Sequence, residues 1–246
     1  MTWPDSTGWA ILAITALVGS TVGGVAGLGA GIIMIPSLGW VLGVKAVVPV
    51  LTVAMLLGNL SRMWFSRTEV DGRVVAAFLA GAIPAGIVGA LLYTRVESQW
   101  VGRLIGAFMM SAVPVRRWLQ HHEIRVRLGQ FPLIGAGIGF LSSLVASVGP
   151  VSSPFFLGYG LRKGAYLGTE ALCAVGMHLT RGLVFRRYDL LSGEAMLVGA
   201  LIGGLMVGGA WAGRRLVDRL SERQFLRVIE ALLIGLGIQF LVWPPR

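Results

Sequence analysis

The sequence predicts an all-α integral membrane protein, a helical bundle built as two inverted repeats of about 118 residues, and three observations carry that expectation. Charged residues make up 13% of the 246 residues and hydrophobic ones 55%, whereas a water-soluble domain carries about a quarter charged residues. The apolar residues fall in runs of about 20, such as Gly8 to Leu28, Ala46 to Phe65 and Val74 to Tyr93, long enough to cross roughly 30 Å of hydrocarbon as helix. The chain also matches itself at a spacing of 118 residues: Gly19 with Gly137, Gly31 with Gly149, Pro36 with Pro154, Lys45 with Lys163, Asp71 with Asp189 and Gly86 with Gly204. Pro, Lys and Asp are scarce here, so their agreement in one register points to a duplication.

The first repeat is expected to occupy residues 1–118, a charged loop 119–130, and the second repeat 131–246. Each repeat reads as a broken apolar stretch followed by three helices. In the first these are 8–43, then 46–65, 73–94 and 101–115; in the second, 131–160, then 165–185, 194–213 and 225–243. Gly27, Leu28, Gly29, Ala30, Gly31 and then Pro36 make the first break, because flexible residues and a missing backbone donor disfavour continuous helix. Ser147, Val148, Gly149, Pro150 and then Pro154 make the second.

Whether a broken stretch crosses once or turns back can be put to the distribution of basic residues. Single crossings split the 21 Lys and Arg 11 to 10, whereas hairpins split them 14 to 7. Hairpins are therefore expected, with the loops around Arg62 to Arg73, Arg116 to Arg127, Arg162 to Lys163 and Arg214 to Arg227 in the cytoplasm and both termini outside. An odd net number of crossings per half would make the repeats inverted, an arrangement common among secondary transporters.

Composition also excludes some classes. The net charge of +10 is scattered in short clusters between apolar runs, which suits anchoring against membrane lipid and not nucleic acid. Cys173 stands alone, so neither an intrachain disulfide nor a cysteine metal cluster is available. Trp9, Trp40, Trp64, Trp100, Trp118, Trp211 and Trp243 lie at or near the ends of apolar runs, as interfacial belts do. The first seven residues hold no Lys or Arg and no clear cleavage site follows the run from Gly8; a first membrane segment is expected there, in preference to a removable signal. His121 and His122 read as part of a solvated loop. Lys45 and Lys163 either attract anions or complement helix C-termini.

Non-helical backbone at membrane depth survives only where protein or an aqueous cavity satisfies it, so the breaks are expected to line a cavity. Backbone N–H groups at Gly27, Gly29, Gly31 and Gly149, with Ser152, would then suit an anion. The following helices carry polar residues near one face: Thr52, Asn59 and Arg62 in the first repeat, Thr169, Glu170, His178 and Arg181 in the second. Ionisable groups at this depth are expensive and default to function. The arginines and hydroxyls form the candidate substrate-binding set; Glu170 and His178, about 12 Å apart along their helix, form the candidate proton-coupling pair.

Gly27, Leu28, Gly29, Ala30 and Gly31, with Ile35, Pro36, Ser37, Leu38, Gly43, Val44, Lys45, Ala46 and Thr52, resemble the TauE/SafE family over essentially the whole chain. In the second half the glycine-rich core is replaced by Ala146, Ser147, Val148, Gly149, Pro150, Val151, Ser152 and Ser153, while Pro154, Gly160, Lys163 and Thr169 remain. The resemblance implies a duplicated helical transporter that exports sulfite or small organosulfonates, with an anionic organosulfur substrate; from Glu170 and His178, protons are expected as the coupling partner, with no cofactor and a location in the cell membrane, a bacterial plasma membrane. Self-association is left open. No Walker-type run, nucleophile elbow or HExxH motif occurs, so transport is expected to draw on a gradient, and the alternatives of an intramembrane enzyme or a structural assembly subunit rank below it.

Overall fold

The structure, a computed structural model, describes residues 3–26, 30–122 and 124–216. Among these it is all helical, with nine α-helices. Five segments are long and apolar enough to cross a membrane: Ser6–Gly23, Val44–Phe65, Gly72–Arg95, Leu128–Val145 and Gly193–Ala212. The expected helix 225–243 lies outside the described residues, as do Gly27 and Gly29.

Helices α1 (Ser6–Ala26) and α2 (Gly31–Leu42) form the first broken stretch. A Cβ placed on Gly8 would lie 2.9 Å from Val41 Cγ1, and one on Gly19 would lie 3.1 Å from the Ala30 carbonyl oxygen. Between those points Thr15 and Ser37 share a hydrogen bond of 3.0 Å. Positions advancing along α1 therefore face positions receding along α2, so the two helices are antiparallel and the chain turns back. Gly43, with φ of 83°, donates its N–H to the Gly39 carbonyl at 3.1 Å and ends α2 in a conformation that favours glycine.

Three longer helices follow: α3 (Val44–Phe65), α4 (Gly72–Arg95) and α5 (Ser98–His121). Asp71 starts α4 by accepting the N–H groups of Arg73 and Val74 at 3.0 and 3.2 Å, an N-cap. Lys45 donates to the carbonyls of Tyr93 and Val96 at the other end of α4, so it complements a helix C-terminus. The Lys163 side chain lies outside the described residues. Helix α5 corrects the expected end at 115: it runs on through Arg116 and Arg117 to His121, so the charged segment begins as helix. Charge marks where a helix leaves hydrocarbon, not where its hydrogen bonds stop, and no glycine interrupts this run.

The second broken stretch consists of α6 (Phe131–Val145) and α7 (Gly149–Gly158). Here the break is Ala146 to Val148, one residue earlier than expected, and Gly149 with Pro150 already starts the helix, where proline's missing donor costs nothing. The Val126 N–H, ahead of α6, bonds the Gly158 carbonyl at 3.1 Å, and the Phe131 ring packs on Tyr159 at 5.4 Å. The end of α7 thus returns beside the start of α6, a second hairpin. Helices α8 (Lys163–Arg187) and α9 (Gly193–Leu216) complete the described chain.

Small residues bring these helices together. A Cβ on Gly89 of α4 would lie 2.7 Å from the Phe140 carbonyl of α6, and one on Gly199 of α9 would lie 2.8 Å from the Val50 carbonyl of α3. Outward-facing apolar side chains such as Leu133, Leu183 and Ile14 are 80%, 73% and 62% exposed, a surface that only lipid suits. The charged α8 packs between α3 and α4, so its ionisable groups meet protein instead of hydrocarbon.

Candidate functional site

Helices α3 and α8 pass each other antiparallel: Arg62, late in α3, meets Glu170, early in α8, while Thr52, ten residues earlier in α3, meets Arg181, late in α8. That offset of ten residues is about 15 Å of helix, so the polar groups form layers along the helix axes.

Arg181 organises one layer and is 1% exposed. Its Nε donates to Thr52 Oγ1 at 2.8 Å, its Nη2 to His178 Nδ1 at 2.9 Å, and its Nη1 to the Ser142 carbonyl. Thr52 in turn donates to the Val48 carbonyl at 2.6 Å, so its oxygen is oriented to accept from the guanidinium. Ser142 lies in the last turn of α6, where exposed carbonyls carry partial negative charge. Each of these partners is formally neutral: an alcohol, an amide carbonyl and an imidazole that accepts through a lone pair. Among the described residues the ion pair is Arg62 with Glu170, so the buried Arg181 guanidinium stands without a carboxylate.

Arg62 organises the second layer. Its Nη2 donates to Glu170 Oε2 at 2.6 Å and its Nη1 to Asn59 Oδ1 at 2.9 Å. Both ion-paired side chains retain about a tenth of their exposure, 11% and 10%. The Arg62 Nε and the Asn59 Nδ2 are buried without hydrogen-bond partners. Asn59 and Arg62 line a cavity of about 10 Å³ together with Ser20, Ala30, Met55 and Met206, room for one water.

Between the layers the two hairpins meet. A Cβ on Gly31 would lie 2.8 Å from Ser147 Cβ and 3.5 Å from Met55 Sδ, and Met55 sits between Thr52 and Asn59 on α3. The turn at Ala146 is tight, with φ of 69° and the Ser147 N–H bonded to the Val145 carbonyl at 2.9 Å.

Of the residues singled out in the sequence, Thr52 joins His178 and Arg181, and Asn59 joins Arg62 and Glu170. Gly31 stands at the tip contact. Gly149 and Ser152 are buried in the first turn of α7, where the Ser152 hydroxyl donates to the Gly149 carbonyl at 3.2 Å. Thr169 is engaged elsewhere: its hydroxyl oxygen accepts the Asp71 N–H at 2.9 Å and pins the start of α4 to α8. Ser142 and Ser147 complete the site and were not among the sequence candidates; adjacent serines at the end of an apolar run just before a break were the available signal for Ser142. A surface cleft of about 710 Å³ between α1 and α2 holds Trp3, Ile11 and Trp40 and none of the arginines. His121 and His122 stack at the exposed end of α5, His122 against Trp118 at 4.6 Å.

The all-helical bundle with five segments long and apolar enough to cross a membrane defines a polytopic membrane protein. The chain belongs to the sulfite exporter TauE/SafE family, whose model matches residues 11–240. Members of that family are transporters, not enzymes, which implies export of sulfite or an organosulfonate. No curated protein and no solved structure matches the chain.

Proposed function

We propose that the chain is a proton-coupled secondary exporter of a small organosulfur oxyanion, sulfite or a sulfonate, in a bacterial plasma membrane, and that Arg181 holds the anion. The single observation that carries this reading is the 1% exposure of a guanidinium whose partners among the described residues are all neutral. A lone charge at this depth is costly, and an anion arriving at Arg181 supplies the missing countercharge.

Alternating access follows if the halves are inverted repeats. In support, α2 and α7 both begin at matched glycines, Gly31 and Gly149, and carry matched prolines, Pro36 and Pro154. The matched α3 and α8 run antiparallel, and the packing of α4 on α6 has its counterpart in α9 on α1. Rocking one half against the other would part the Gly31 and Ser147 tips from alternate sides.

Coupling to protons would run through His178. Its Nδ1 accepts from Arg181, which requires a free lone pair there. An anion that takes over this guanidinium edge releases Nδ1 and offsets a second positive charge, so anion and proton enter together. Glu170, two turns away, is held by Arg62 and would exchange its proton only when that pair opens.

Reconstituted vesicles test the reading. Wild-type protein should accumulate sulfite against its gradient when a pH gradient is imposed, and Arg181→Gln should lower sulfite binding roughly 10–100-fold, the value of a charged hydrogen bond of about 1.5–3 kcal/mol. His178→Gln should bind sulfite yet lose the response to the pH gradient. Unaltered binding in Arg181→Gln would place the anion elsewhere.

A further inference from the structure

We propose that Asn59 and Arg62 form a second anion station, across the hairpin tips from Arg181, and that the Glu170 carboxylate is a tethered counter-ion that the travelling oxyanion displaces. This rests on the reading of Arg181 as an anion site and gives that site a partner in series.

The argument begins with Asn59, which is 1% exposed. Its Oδ1 is committed to Arg62 Nη1 at 2.9 Å, and that bond fixes the amide so that Nδ2 points away from Arg62's fork. Nδ2 is then left without a partner, and so is Arg62 Nε. Buried donors are almost always satisfied, and a pair of orphans beside one cavity marks a place for an absent acceptor. Asn59 and Arg62 line the same small cavity, where among the described residues the only other polar side chain is Ser20, whose hydroxyl already donates to the Leu17 carbonyl at 3.2 Å. Donors thus outnumber acceptors, which favours an oxyanion over a water that must also donate.

Charge explains why the station is small at rest. Glu170 holds Nη2 at 2.6 Å, on the same edge of the guanidinium as the unpartnered Nε. An incoming sulfonate can therefore meet Asn59 Nδ2 first and take the Nε and Nη2 edge as the carboxylate leaves it, so that the cation is never left unpaired. Met55 and Met206 form part of the wall, and their flexible thioethers can shift to admit an ion larger than water. Along α3 the order is Arg181's partner Thr52, then Met55 at the tips, then Asn59 and Arg62. The stations lie about 15 Å apart, with the contact between Gly31 and Ser147 separating them. The 14 to 7 distribution of basic residues puts the Arg62 end toward the cytoplasm, where an exporter loads.

Equilibrium binding of radiolabelled sulfite to the full chain in lipid nanodiscs tests this. The wild type should bind one sulfite per chain, at Arg181. Glu170→Gln frees Arg62 of its resident carboxylate and should bind two, and adding Asn59→Leu should return the count to one. Asn59→Asp keeps the side-chain shape and places a second tethered carboxylate in the station: it should still bind one sulfite with unchanged affinity while flux falls at least 100-fold. A count of one in folded Glu170→Gln, or wild-type flux in Asn59→Asp, overturns the second station. Should Glu170→Gln fail to fold, Asn59→Asp alone decides. Arg181→Gln that still binds one sulfite at wild-type affinity refutes the Arg181 reading instead, a result distinct from either of these.

Discussion

The two arginine layers use the same local device and reach opposite electrostatic results. Arg62 donates to Asn59 three residues back, and Arg181 to His178 three residues back, each at 2.9 Å. Each then crosses to the other helix, where Arg62 finds the Glu170 carboxylate and Arg181 finds the Thr52 hydroxyl. Among the described residues one layer is neutral and the other carries a net positive charge. The number of buried arginines is therefore a poor guide to anion affinity; what matters is which of them the protein leaves uncompensated.

Stability should separate the layers most sharply. Arg62→Gln strands the Glu170 carboxylate, and breaking a mostly buried pair costs about 3 kcal/mol, the lower end of the usual range because both groups keep some exposure. Adding Glu170→Gln should recover most of that loss, as a double-mutant cycle would report. Arg181→Gln strands no charge: it gives up charge-assisted bonds to neutral partners but also relieves the cost of burying the guanidinium, so its stability should stay within about 1 kcal/mol of wild type. Thermal unfolding in detergent measures all three. Equal losses for the two arginine variants would mean that Arg181 has a counter-ion after all.

Much of this site was legible in the sequence, for reasons that also mark its limits. The hairpins follow from Gly31, Pro36 and Pro154 together with the basic-residue split, because backbone chemistry and lipid electrostatics are local properties. Thr52, Asn59 and Arg62 share one face of α3, so helical spacing was enough to group them. Their partners could not be grouped that way. Pairing Arg62 with Glu170, or Arg181 with Ser142, depends on how α3, α6 and α8 cross, and no periodicity encodes a crossing. Thr169 illustrates the same gap: it adjoins Glu170, yet its hydroxyl holds the Asp71 N–H. Lys45 was left between two roles until the end of α4 was seen beneath it.

The hairpin tips offer a second way to sharpen the comparison, because they stand between the layers. A Cβ on Gly31 would come 2.8 Å from Ser147 Cβ and 3.0 Å from its Oγ, so one of the two must move. Gly31→Ala should hold the tips apart and reduce sulfite flux about tenfold, equivalent to about 1.4 kcal/mol in the transport barrier, with sulfite binding at Arg181 unchanged. Ser147→Gly removes the opposing atoms and should restore flux in the double variant. Proteoliposome uptake by the four proteins of this cycle decides it; additive losses would show that the two residues act separately.

The smallest effect is expected at Ala146, where the two tips differ in kind. The first break is rich in glycine, whereas the second places a residue with a Cβ at φ of 69° and ψ of −39°. A side chain in such a turn costs on the order of 1 kcal/mol, and Ala146 is held there by the Ser147 N–H bond to Val145 and by its own N–H bond to the Ser142 carbonyl at 3.0 Å. That same carbonyl accepts from Arg181, so the turn and the guanidinium share one oxygen. Ala146→Gly relieves the Cβ conflict but gives the unfolded chain more freedom, worth roughly 0.5–1 kcal/mol in the other direction, and its net effect on unfolding should be within about 0.5 kcal/mol of zero. Ala146→Val makes the conflict worse without that compensation and should destabilise by about 1–3 kcal/mol. Because the turn positions Ser142 beneath Arg181, Ala146→Val should also weaken sulfite binding while leaving the Arg62 and Glu170 pair intact. A valine variant as stable and as tight-binding as wild type would show that the turn is free to relax and does not set the geometry of the charged layer.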